Sequence, residues 1–329
     1  MDGRQTVLVT GGAGFIGSHL TERLVADGYR VAVVDDFSTG TMQNLEGAWR
    51  AGLDPALVFR CDIQHAELVR VLARVSPAVI LHLAAQSRVA VSMRDPLHDL
   101  RSNVLGSVAL LDAARVTGVT RIVLASSGGT VYGAASRPHG ATTEAGRRRP
   151  LSFYGLSKAV ADDYARLYHD HFGLRYVSLA LGNVYGPRQP LHGEGGVLGV
   201  FARRLVARRP CHVTGDGSAV RDYVHVRDVV EAFVRAIGRG GGTINIGTGV
   251  GTSVLDAYQL LAQRVGVIGP PSFVPARPGE VHRIVLDPAR ARTELGWRPT
   301  LSLSDGLSDL IGWVRQVPRA AVGSTQPGR

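Results

Sequence analysis

The chain has 329 residues, of which 45% are hydrophobic, 19% charged and 6% aromatic. This composition is typical of a globular protein, and no apolar run approaches the ~18 residues that cross a bilayer, which excludes both a disordered chain and a membrane-spanning one. The formal net charge is +10, but the arginines form only short runs (147–149, 203–209) with no recognition motif beside them, which argues against nucleic acid as a partner.

The first half of the chain alternates short apolar runs with amphipathic stretches. Strands are predicted over 6–10, 30–35, 57–60, 78–83, 121–126 and 175–181. Helices are predicted over 15–26, 65–75, 95–117 and 152–172. Because continuous Val/Ile/Leu strands separated by helices are typical of a parallel sheet covered on both faces, the sequence predicts an α/β fold with a Rossmann doubly wound sheet.

Beyond residue 183 the pattern changes, because Gly and Pro turn signals become dense. We therefore predict a first domain over 1–183, rejoined by about 218–250, a smaller α/β domain over 184–317, and a disordered tail over 318–329. The two cysteines, Cys61 and Cys211, have neither CxxC nor metal-ligand spacing. The sequence thus predicts a reduced, cytoplasmic protein with no metal and no membrane partner.

A glycine-rich turn follows the first strand, with Gly11, Gly14 and Gly17 before and within the start of a helix. Such glycines allow a tight turn, a close approach of the backbone to a pyrophosphate, and close packing of helix on strand. The second strand ends in Asp35, about 20 residues further on, as the dinucleotide-binding fingerprint requires. A carboxylate there accepts a hydrogen bond from the adenosine ribose and repels a 2′-phosphate, so NAD is predicted over NADP.

Tyr154 and Lys158 lie four residues apart at the start of a predicted helix, which places both side chains on one face. The pair follows a fifth strand that ends in Ser126 and Ser127. Lys158 is also the only lysine of the chain. A solvated surface lysine is the alternative interpretation, but this position favours a catalytic pair.

With these motifs the chain resembles the extended short-chain dehydrogenases/reductases of the NAD-dependent epimerase/dehydratase family, and within them the UDP-glucose (UDP-galactose) 4-epimerases. The resemblance runs in the family's order from residue 6 to about 315. It rests on segments 10–17, 34–40, 82–86, 103–106, 129–133, 154–158, 183–189, 215–217, 221–226, 245–247, 277–280 and 294–297.

The resemblance implies that Tyr154 is the general base and acid on the sugar hydroxyl and that Lys158 holds the nicotinamide ribose and lowers the pKa of the tyrosine. Lowering a tyrosine pKa from ~10 to near 7 takes about 4 kcal/mol. One cation ~4 Å away supplies about that much at an effective dielectric constant of 20. The family usually has Ser or Thr where this chain has Gly128, so either Ser127 or Thr130 would serve instead.

The resemblance also implies an NAD site and a UDP-sugar site. The predicted cofactor-binding residues are Gly11, Gly14, Phe15, Ile16, Gly17, Asp35, Asp36, Ser38, Thr39, Gly40, Asp62, Ile63, Leu83, Ala84, Ala85, Gln86, Asn103 and Lys158. The predicted substrate-binding residues are Ser87, Arg88, Asn183, Val197, Leu198, Arg221, Arg277 and Glu280. Asn183 and Arg221 would bind the diphosphate, and Arg277 and Glu280 would contact the diphosphate and the ribose unless they form a surface ion pair.

The predicted function is inversion of C4 of a UDP-hexose through a 4-keto intermediate, with UDP-glucose/UDP-galactose as substrates and UDP-glucuronate as the alternative. A dehydratase needs an acid pair near the fifth strand, where this chain has Gly128, Gly129 and Thr130; a decarboxylase and a non-catalytic NAD-binding protein are further alternatives. A C6 carboxylate would need partners such as Ser87, Arg88 or His192.

Two further expectations concern shape and assembly. The small residues Gly128 and Gly182, with Leu181 where aromatic residues are common in the family, predict a roomier sugar pocket.

A homodimer is predicted through helices 95–117 and 152–172. Its apolar stripe would consist of Leu105, Val108, Leu111, Val160 and Leu167, unless these residues face their own sheet.

Overall fold

The computed structural model describes residues 5–133, 140–191, 196–275 and 281–317. The strands are β1 (Thr6–Thr10), β2 (Arg30–Asp35), β3 (Val58–Arg60), β4 (Val79–His82), β5 (Arg121–Ser127), β6 (Arg175–Leu181), β7 (Asn183–Tyr185), β8 (His212–Thr214), β9 (Val220–His225), β10 (Gly242–Ile246), β11 (Gly251–Ser253) and β12 (Ser272–Val274). The α-helices are α1 (Phe15–Ala26), α2 (Glu46–Arg50), α3 (Glu67–Val75), α4 (Val89–Arg94), α5 (Pro96–Asp99), α6 (Gly106–Val116), α7 (Gly128–Val131), α8 (Phe153–Phe172), α9 (Val197–Val206), α10 (Val226–Ala236), α11 (Val254–Val265) and α12 (Leu303–Gln316). Short 3-10 turns cover Met42–Leu45 and Pro55–Leu57, and π-helical turns cover Leu100–Leu105 and Ala291–Leu295.

The central feature is a seven-stranded sheet in the order β10-β6-β5-β4-β1-β2-β3. All its pairs are parallel, and β1 is the inner strand from which the chain winds in both directions, with Val9 opposite Val33 on one side and Leu81 on the other. These residues are fully buried, which explains why the strands read as continuous apolar runs rather than alternating ones. The predicted doubly wound fold is confirmed.

Helices cover both faces of this sheet, each over its own core. On one face α1 and α10 bury residues such as Leu20 and Phe233, and on the other α3, α6 and α8 bury residues such as Leu72, Leu110 and Ala165. The carboxyl ends of the strands therefore open between two helical layers, where ligands bind in sheets of this kind.

The segment predicted as one helix over 95–117 is divided. Asp95 caps α5 by accepting a hydrogen bond from His98 N at 3.0 Å, and Pro96 occupies the first turn. The π-helical turn Leu100–Leu105 then precedes α6, and Asn103 is buried within it. The division was not predicted because periodicity of apolar residues cannot distinguish a π turn from an α turn; α4 was missed because it is only six residues long.

The second half of the chain forms smaller sheets with its own core. Strands β11-β9-β7 form one sheet and β12-β8 another, and α9, α11 and α12 pack around residues such as Phe201, Leu261 and Leu310. Strand β10 belongs instead to the edge of the large sheet, beside β6. The division into domains over 1–183, about 218–250 and 184–317 stays our proposal, and the tail over 318–329 lies outside the described residues.

None of the helices in the described ranges is both long enough and apolar enough to span a bilayer.

Candidate active site

The glycine-rich turn between β1 and α1 is shaped for a ligand that approaches the backbone. Gly11 adopts φ +68°, and a Cβ on it would lie 2.7 Å from Ala84 N. A Cβ on Gly17 would collide with the carbonyl oxygen of Gly11. No side chain caps α1 at Gly14, so its first N–H groups are available to an anion. Phe15 and Ile16 are half-buried at the start of this helix, and the cradle fits a dinucleotide pyrophosphate.

Asp35 lies at the end of β2 beside this turn. Its Oδ2 accepts a hydrogen bond from Ala13 N and its Oδ1 from Phe37 N, both at 2.9 Å. Burial raises the pKa of Asp35, and these two hydrogen bonds oppose that rise. A Cβ on Gly40 would lie 2.9 Å from Asp35 Oδ1, which is why the loop needs glycine there.

The loop after β2 otherwise faces solvent. Asp36 Oδ1 accepts hydrogen bonds from Ser38 N at 2.9 Å and from Ser38 Oγ at 2.7 Å, and Thr39 is exposed. Of the predicted adenine contacts, Asp62 is exposed and Ile63 is buried. These positions line the same strand ends as Asp35, so the predicted NAD residues come from neighbouring strands of one sheet.

Segment 83–86 follows β4 and lies against the glycine turn. Leu83 N donates to Thr10 O at 3.0 Å and Ala84 N to Thr10 Oγ1 at 3.3 Å. Ala85 is half-buried. Gln86 N donates to Asn103 Oδ1 at 2.9 Å, so the π-helical turn and the segment after β4 are joined at the site.

Tyr154 and Lys158 stand on the first turns of α8, over the end of β5. Ser152 caps the helix by accepting a hydrogen bond from Gly155 N at 3.1 Å. Ser127, at the end of β5, is the side chain whose hydrogen bond lowers the pKa of Tyr154. Lys158 Nζ donates to Ala125 O at 3.0 Å and lies 6.0 Å from the centre of the Tyr154 ring. The two predicted side chains therefore meet Ser127 at the end of one strand.

Ser127 and Thr130 differ in their surroundings. A hydrogen bond from Ser127 lowers the pKa of Tyr154, whereas Thr130 Oγ1 donates to Ser127 O at 3.4 Å. Thr130 thus supports the short helix α7 that follows Ser127, and of the two hydroxyls this favours Ser127 as the partner of the tyrosine.

The protonation of Tyr154 differs from the expectation. Burial raises the pKa of Tyr154 to about 12; the hydrogen bond from Ser127 opposes that rise and the nearby Asp99 carboxylate contributes to it. Lys158 does not lower the pKa of the tyrosine here, because its own pKa is about 8 and its charge is lost before the phenol titrates. The tyrosine is a neutral phenol in this structure.

Asp99 is a buried carboxylate that sequence reasoning missed. Its Oδ1 accepts hydrogen bonds from Gln86 Nε2 at 2.8 Å and Asn103 Nδ2 at 3.0 Å, and its Oδ2 accepts from Ser157 Oγ at 2.6 Å. It ties three segments together behind Tyr154. The one available signal was its position four residues before Asn103, on the same helical face.

Asp162 is a second buried carboxylate, one turn after Lys158 on α8. It accepts hydrogen bonds from Ser126 Oγ at 2.8 Å and from Ser178 Oγ, on the neighbouring strands β5 and β6. Burial lowers the pKa of Lys158 to about 8, while Asp162 and Asp99 both raise it. These two carboxylates therefore help to keep the lysine positively charged near neutral pH.

The small residues predicted to enlarge the sugar pocket leave no such space. A Cβ on Gly128 would lie 2.5 Å from Leu286 Cδ1 and 2.9 Å from Ala180 O, and one on Gly182 would lie 2.9 Å from Asp222 O. Packing from distant parts of the chain fills both positions, and Leu181 is buried in the core. The expectation of a roomier pocket from these residues was wrong.

Gly129, in contrast, has room for a side-chain carbon in ordinary contact with its neighbours. A Cβ there would lie 3.7 Å from Asn183 Oδ1 and 3.9 Å from Ser127 Oγ. Asn183 begins β7, opposite Tyr223 of β9. Arg221 precedes Tyr223 by two residues, so it lies on the same face of that sheet. Asn183 and Arg221 are therefore on one surface that begins beside the catalytic side chains.

The other predicted substrate residues have different surroundings. Ser87 and Arg88 are exposed in a turn before α4, in which Gln86 Nε2 donates to Arg88 O at 3.0 Å. Val197 is half-buried, but Leu198 is only 1% exposed and packs in the core, so a ligand could reach only its backbone. Arg277, Glu280 and His192 lie outside the described residues.

Known proteins are similar to this chain over most of its length. A sequence model described as GDP-mannose 4,6 dehydratase matches residues 8–310. UDP-glucose 4-epimerase of Mycolicibacterium smegmatis is 44% identical over 310 residues, covering 94% of this chain and 98% of that protein. Two crystal structures are also similar at 38% identity. They are UDP-glucose 4-epimerase of Thermotoga maritima with UDP-glucose (TM-score 0.90; 95% of this chain, 99% of that chain) and that of Thermus thermophilus with NAD (TM-score 0.88; 95% and 100%).

Proposed function

Since the chain belongs to the NAD-dependent epimerase/dehydratase family of extended short-chain dehydrogenases/reductases, we propose that it is a UDP-sugar 4-epimerase that interconverts UDP-glucose and UDP-galactose. The relative from Mycolicibacterium smegmatis and the two similar crystal structures bear this activity in their names, and one of the structures was solved with NAD and the other with UDP-glucose. The observation that carries the proposal is that Lys158 lies 6.0 Å from the centre of the Tyr154 ring and is bonded to Ala125 O at the end of β5, at a site where Gly129 offers no acid.

The proposed roles follow from the position of each group. Bound NAD, which the glycine turn, Asp35 and Lys158 would hold, would supply a hydride acceptor and donor for C4 of the sugar. Tyr154 Oη takes the proton of the C4 hydroxyl and later gives it back, while Ser127 holds that hydroxyl in place. Because burial raises the pKa of Tyr154 to about 12, the phenol has to lose its proton under the influence of positive charge bound nearby. Lys158 supplies one such charge, and Asp162 and Asp99 help it to stay protonated.

The main rival is a 4,6-dehydratase, the activity by which the family model is described. Removing water across C5 and C6 needs an acid and a base beside the sugar. The positions that face the site after β5 are Gly129 and Thr130, which supply neither. Asp99 and Asp162, the buried carboxylates nearest to Lys158, have their oxygens engaged with Ser157, Ser126 and their other partners. Among the residues that the structure describes, the side chains at the site therefore favour proton exchange at C4.

UDP-glucuronate is the second candidate substrate, and Arg88 is the observation that favours it. Arg88 is exposed at the start of α4, two residues after Gln86, which is bonded to the catalytic-site carboxylate Asp99. A guanidinium there suits a C6 carboxylate.

The test is to incubate the purified NAD-loaded protein separately with UDP-glucose, UDP-galactose, UDP-glucuronate and their N-acetylated relatives, and to identify the C4 epimer by chromatography. The proposal expects UDP-glucose and UDP-galactose to reach a common equilibrium mixture. Turnover of neither, with a product 18 mass units lighter from any substrate, would identify a dehydratase instead.

We also propose a homodimer through α8 and the segment from α5 to α6. Leu105 and Leu167 are 51% and 41% exposed, and Phe153 and Leu156 extend the same apolar face of α8 at 44% and 49%. Contiguous exposed apolar side chains of this kind mark an interface. Leu111 has no part in it, because it is fully buried against its own sheet.

A second copy of the chain is the expected occupant of that face. The double variant Leu105→Arg, Leu167→Arg should sediment as a monomer where the wild type sediments as a dimer at micromolar concentration. Val69→Arg, a similarly exposed position on α3 (39%), should remain dimeric. A monomeric wild type would refute the dimer.

A further inference from the structure

Arg188 has an unusual conformation directly after the segment that begins with Asn183. It is a non-glycine residue with φ +63°, a backbone state that persists only where the surroundings hold it. The preceding Gly186 is packed so tightly that a Cβ there would lie 2.6 Å from Val226 Cγ1 at the start of α10. The chain at residues 186–188 thus packs against α10 on one side, and the Arg188 side chain extends to α1 on the other.

The Arg188 side chain bonds two elements of the predicted NAD site. Its Nη2 donates to Glu22 Oε2 at 2.7 Å and to His19 Nδ1 at 2.6 Å, both on α1. Its Nη1 donates to Asn44 O at 2.9 Å, in the loop after β2. The Arg188 side chain is only 18% exposed, whereas Glu22 is 40% exposed. The guanidinium end of these bonds is therefore partly shielded from water, while the carboxylate end is solvent-screened like that of a surface ion pair.

The bonds continue into the glycine-rich turn. Asn44 Nδ2 donates to Ala13 O at 2.8 Å, and Ala13 N is the donor that holds Asp35. One guanidinium therefore joins the helix that receives the pyrophosphate, the loop beside the adenosine ribose and, through its own backbone, the segment that carries Asn183.

His19 completes the connection in a neutral state. Its Nε2 lies 2.8 Å from Pro187 O and must carry the proton to bond that carbonyl, while Nδ1 accepts from Arg188 Nη2 at 2.6 Å. In this tautomer the 3.2 Å contact of Arg188 Nε with Nε2 is not a hydrogen bond. Burial and the adjacent guanidinium lower the pKa of His19 to about 3, so this arrangement does not change within the physiological pH range.

We propose that Arg188 is a positioning residue that fastens the NAD-binding elements to the substrate-binding segment 183–188, and thereby slows NAD release and links it to occupancy of the nucleotide-sugar site. The inference rests on the proposed function only in taking NAD and a UDP-sugar as the two ligands. An epimerase that oxidises and reduces the same sugar gains nothing from exchanging its cofactor, so a fastening that retains NAD suits that chemistry. By linkage, a UDP group bound at Asn183 would retain NAD more strongly, and the reverse.

The test measures exchange of bound radiolabelled NAD against an excess of unlabelled NAD, with and without UDP. Arg188→Ala should exchange NAD at least tenfold faster than wild type, which corresponds to about 1.4 kcal/mol. UDP should slow the exchange of NAD in the wild type. In Arg188→Ala the factor by which UDP slows exchange should be less than half of the wild-type factor. Arg188→Lys keeps the charge beside Glu22 but not the planar fork, and should exchange several-fold faster even if the alanine variant does not fold.

The matched control is Arg23→Ala. Arg23 lies on the same helix and joins Asp27 and Glu231, at 2.8 and 3.0 Å, without touching the glycine turn or the substrate-binding segment. Its NAD exchange should stay within twofold of wild type. Equal acceleration in Arg23→Ala, or unchanged exchange in both Arg188 variants, would overturn the proposal. Faster exchange in a protein that epimerises no UDP-sugar would leave the role of Arg188 standing and refute the proposed function.

Discussion

The two walls of the candidate site are built differently. On the wall formed by β5 and α8, Tyr154 and Lys158 are hydrogen-bonded to protein groups, and the carboxylates behind them are buried. On the second wall, formed by the turn after β4, Ser87 and Arg88 are exposed. The first wall is therefore organised before a ligand arrives, as catalysis of a charge-developing step requires. The second wall leaves its polar groups for the ligand to engage.

This difference predicts two kinds of mutational effect. Changes in the organised wall should reduce turnover strongly and equally for every sugar. Changes in the exposed wall should be small and should depend on which sugar is bound. Substitutions on each wall therefore test whether the two walls differ in this way.

The largest effect is expected for Tyr154→Phe. The substitution keeps the ring but removes the group that exchanges a proton with the sugar, and a general acid/base step is worth ~10²–10⁴-fold. We expect kcat to fall by that factor for UDP-glucose and UDP-galactose alike, with NAD content unchanged. Tyr164→Phe, on an exposed part of the same helix, is the control. Near-native turnover of Tyr154→Phe would remove the tyrosine from the mechanism.

A smaller effect is expected at Asp35. Its carboxylate lies at the glycine turn, where it would repel a 2′-phosphate. Isothermal titration calorimetry of protein freed of cofactor should show NAD binding at least about tenfold more tightly than NADP, a difference of about 1.4 kcal/mol. Asp35→Asn should reduce the ratio of the dissociation constant for NADP to that for NAD. Tighter binding of NADP to the wild type would mean that the carboxylate does not meet the ribose.

Asp162→Asn should change the pH dependence rather than the maximum rate. Burial lowers the pKa of Lys158 to about 8 and Asp162 opposes that shift. We therefore expect wild-type activity to fall as the pH rises through about 8, where the lysine loses its charge. Removing the Asp162 charge lowers the lysine pKa further, so this fall should begin at a lower pH, by roughly one unit.

The absence of any other lysine makes this measurement direct. Isotopic labelling of lysine gives one side-chain NMR signal, whose titration reports Lys158 without kinetics. Asp163→Asn is the matched control, because Asp163 is the adjacent residue but is 62% exposed. If the lysine titrates at the same pH in the wild type and in Asp162→Asn, the buried carboxylate does not stabilise the positive charge of Lys158.

The smallest effect is expected for Arg88→Ala on the exposed wall. If its guanidinium meets a C6 carboxylate in water, the loss is that of a solvent-screened pair, about 0.2–1 kcal/mol or at most about fivefold. We expect kcat/KM for UDP-glucuronate to fall by that factor relative to UDP-glucose. If the ratio of kcat/KM for UDP-glucuronate to that for UDP-glucose is unchanged, Arg88 does not contribute to sugar specificity. If the wild-type protein does not turn over UDP-glucuronate at all, UDP-glucuronate is excluded as the second substrate.

The same comparison explains how far the sequence could predict the structure. The sheet was predictable because strands such as β1, β2 and β6 carry continuous apolar runs that are buried on both faces. Tyr154 and Lys158 were predictable because their spacing is a local property of one helix.

Features that depend on distant parts of the chain were not predictable. The occupation of the space beside Gly128 by Leu286, 158 positions later, cannot be inferred from local pattern, and it removed the expected room in the pocket. Asp99 looks like an ordinary helix residue until folding brings Gln86 and Ser157 to it. Arg188 gives no sign in its spacing that it will bond α1.

The most direct test of the central claim follows UDP-galactose in D₂O with the NAD-loaded wild-type protein, by NMR and mass spectrometry. Removal and return of a hydride at C4, with Tyr154 exchanging only the hydroxyl proton, predicts UDP-glucose of unchanged mass with no deuterium on carbon. A product 18 mass units lighter, deuterium at C4 or C5, or no C4 epimer would contradict the account.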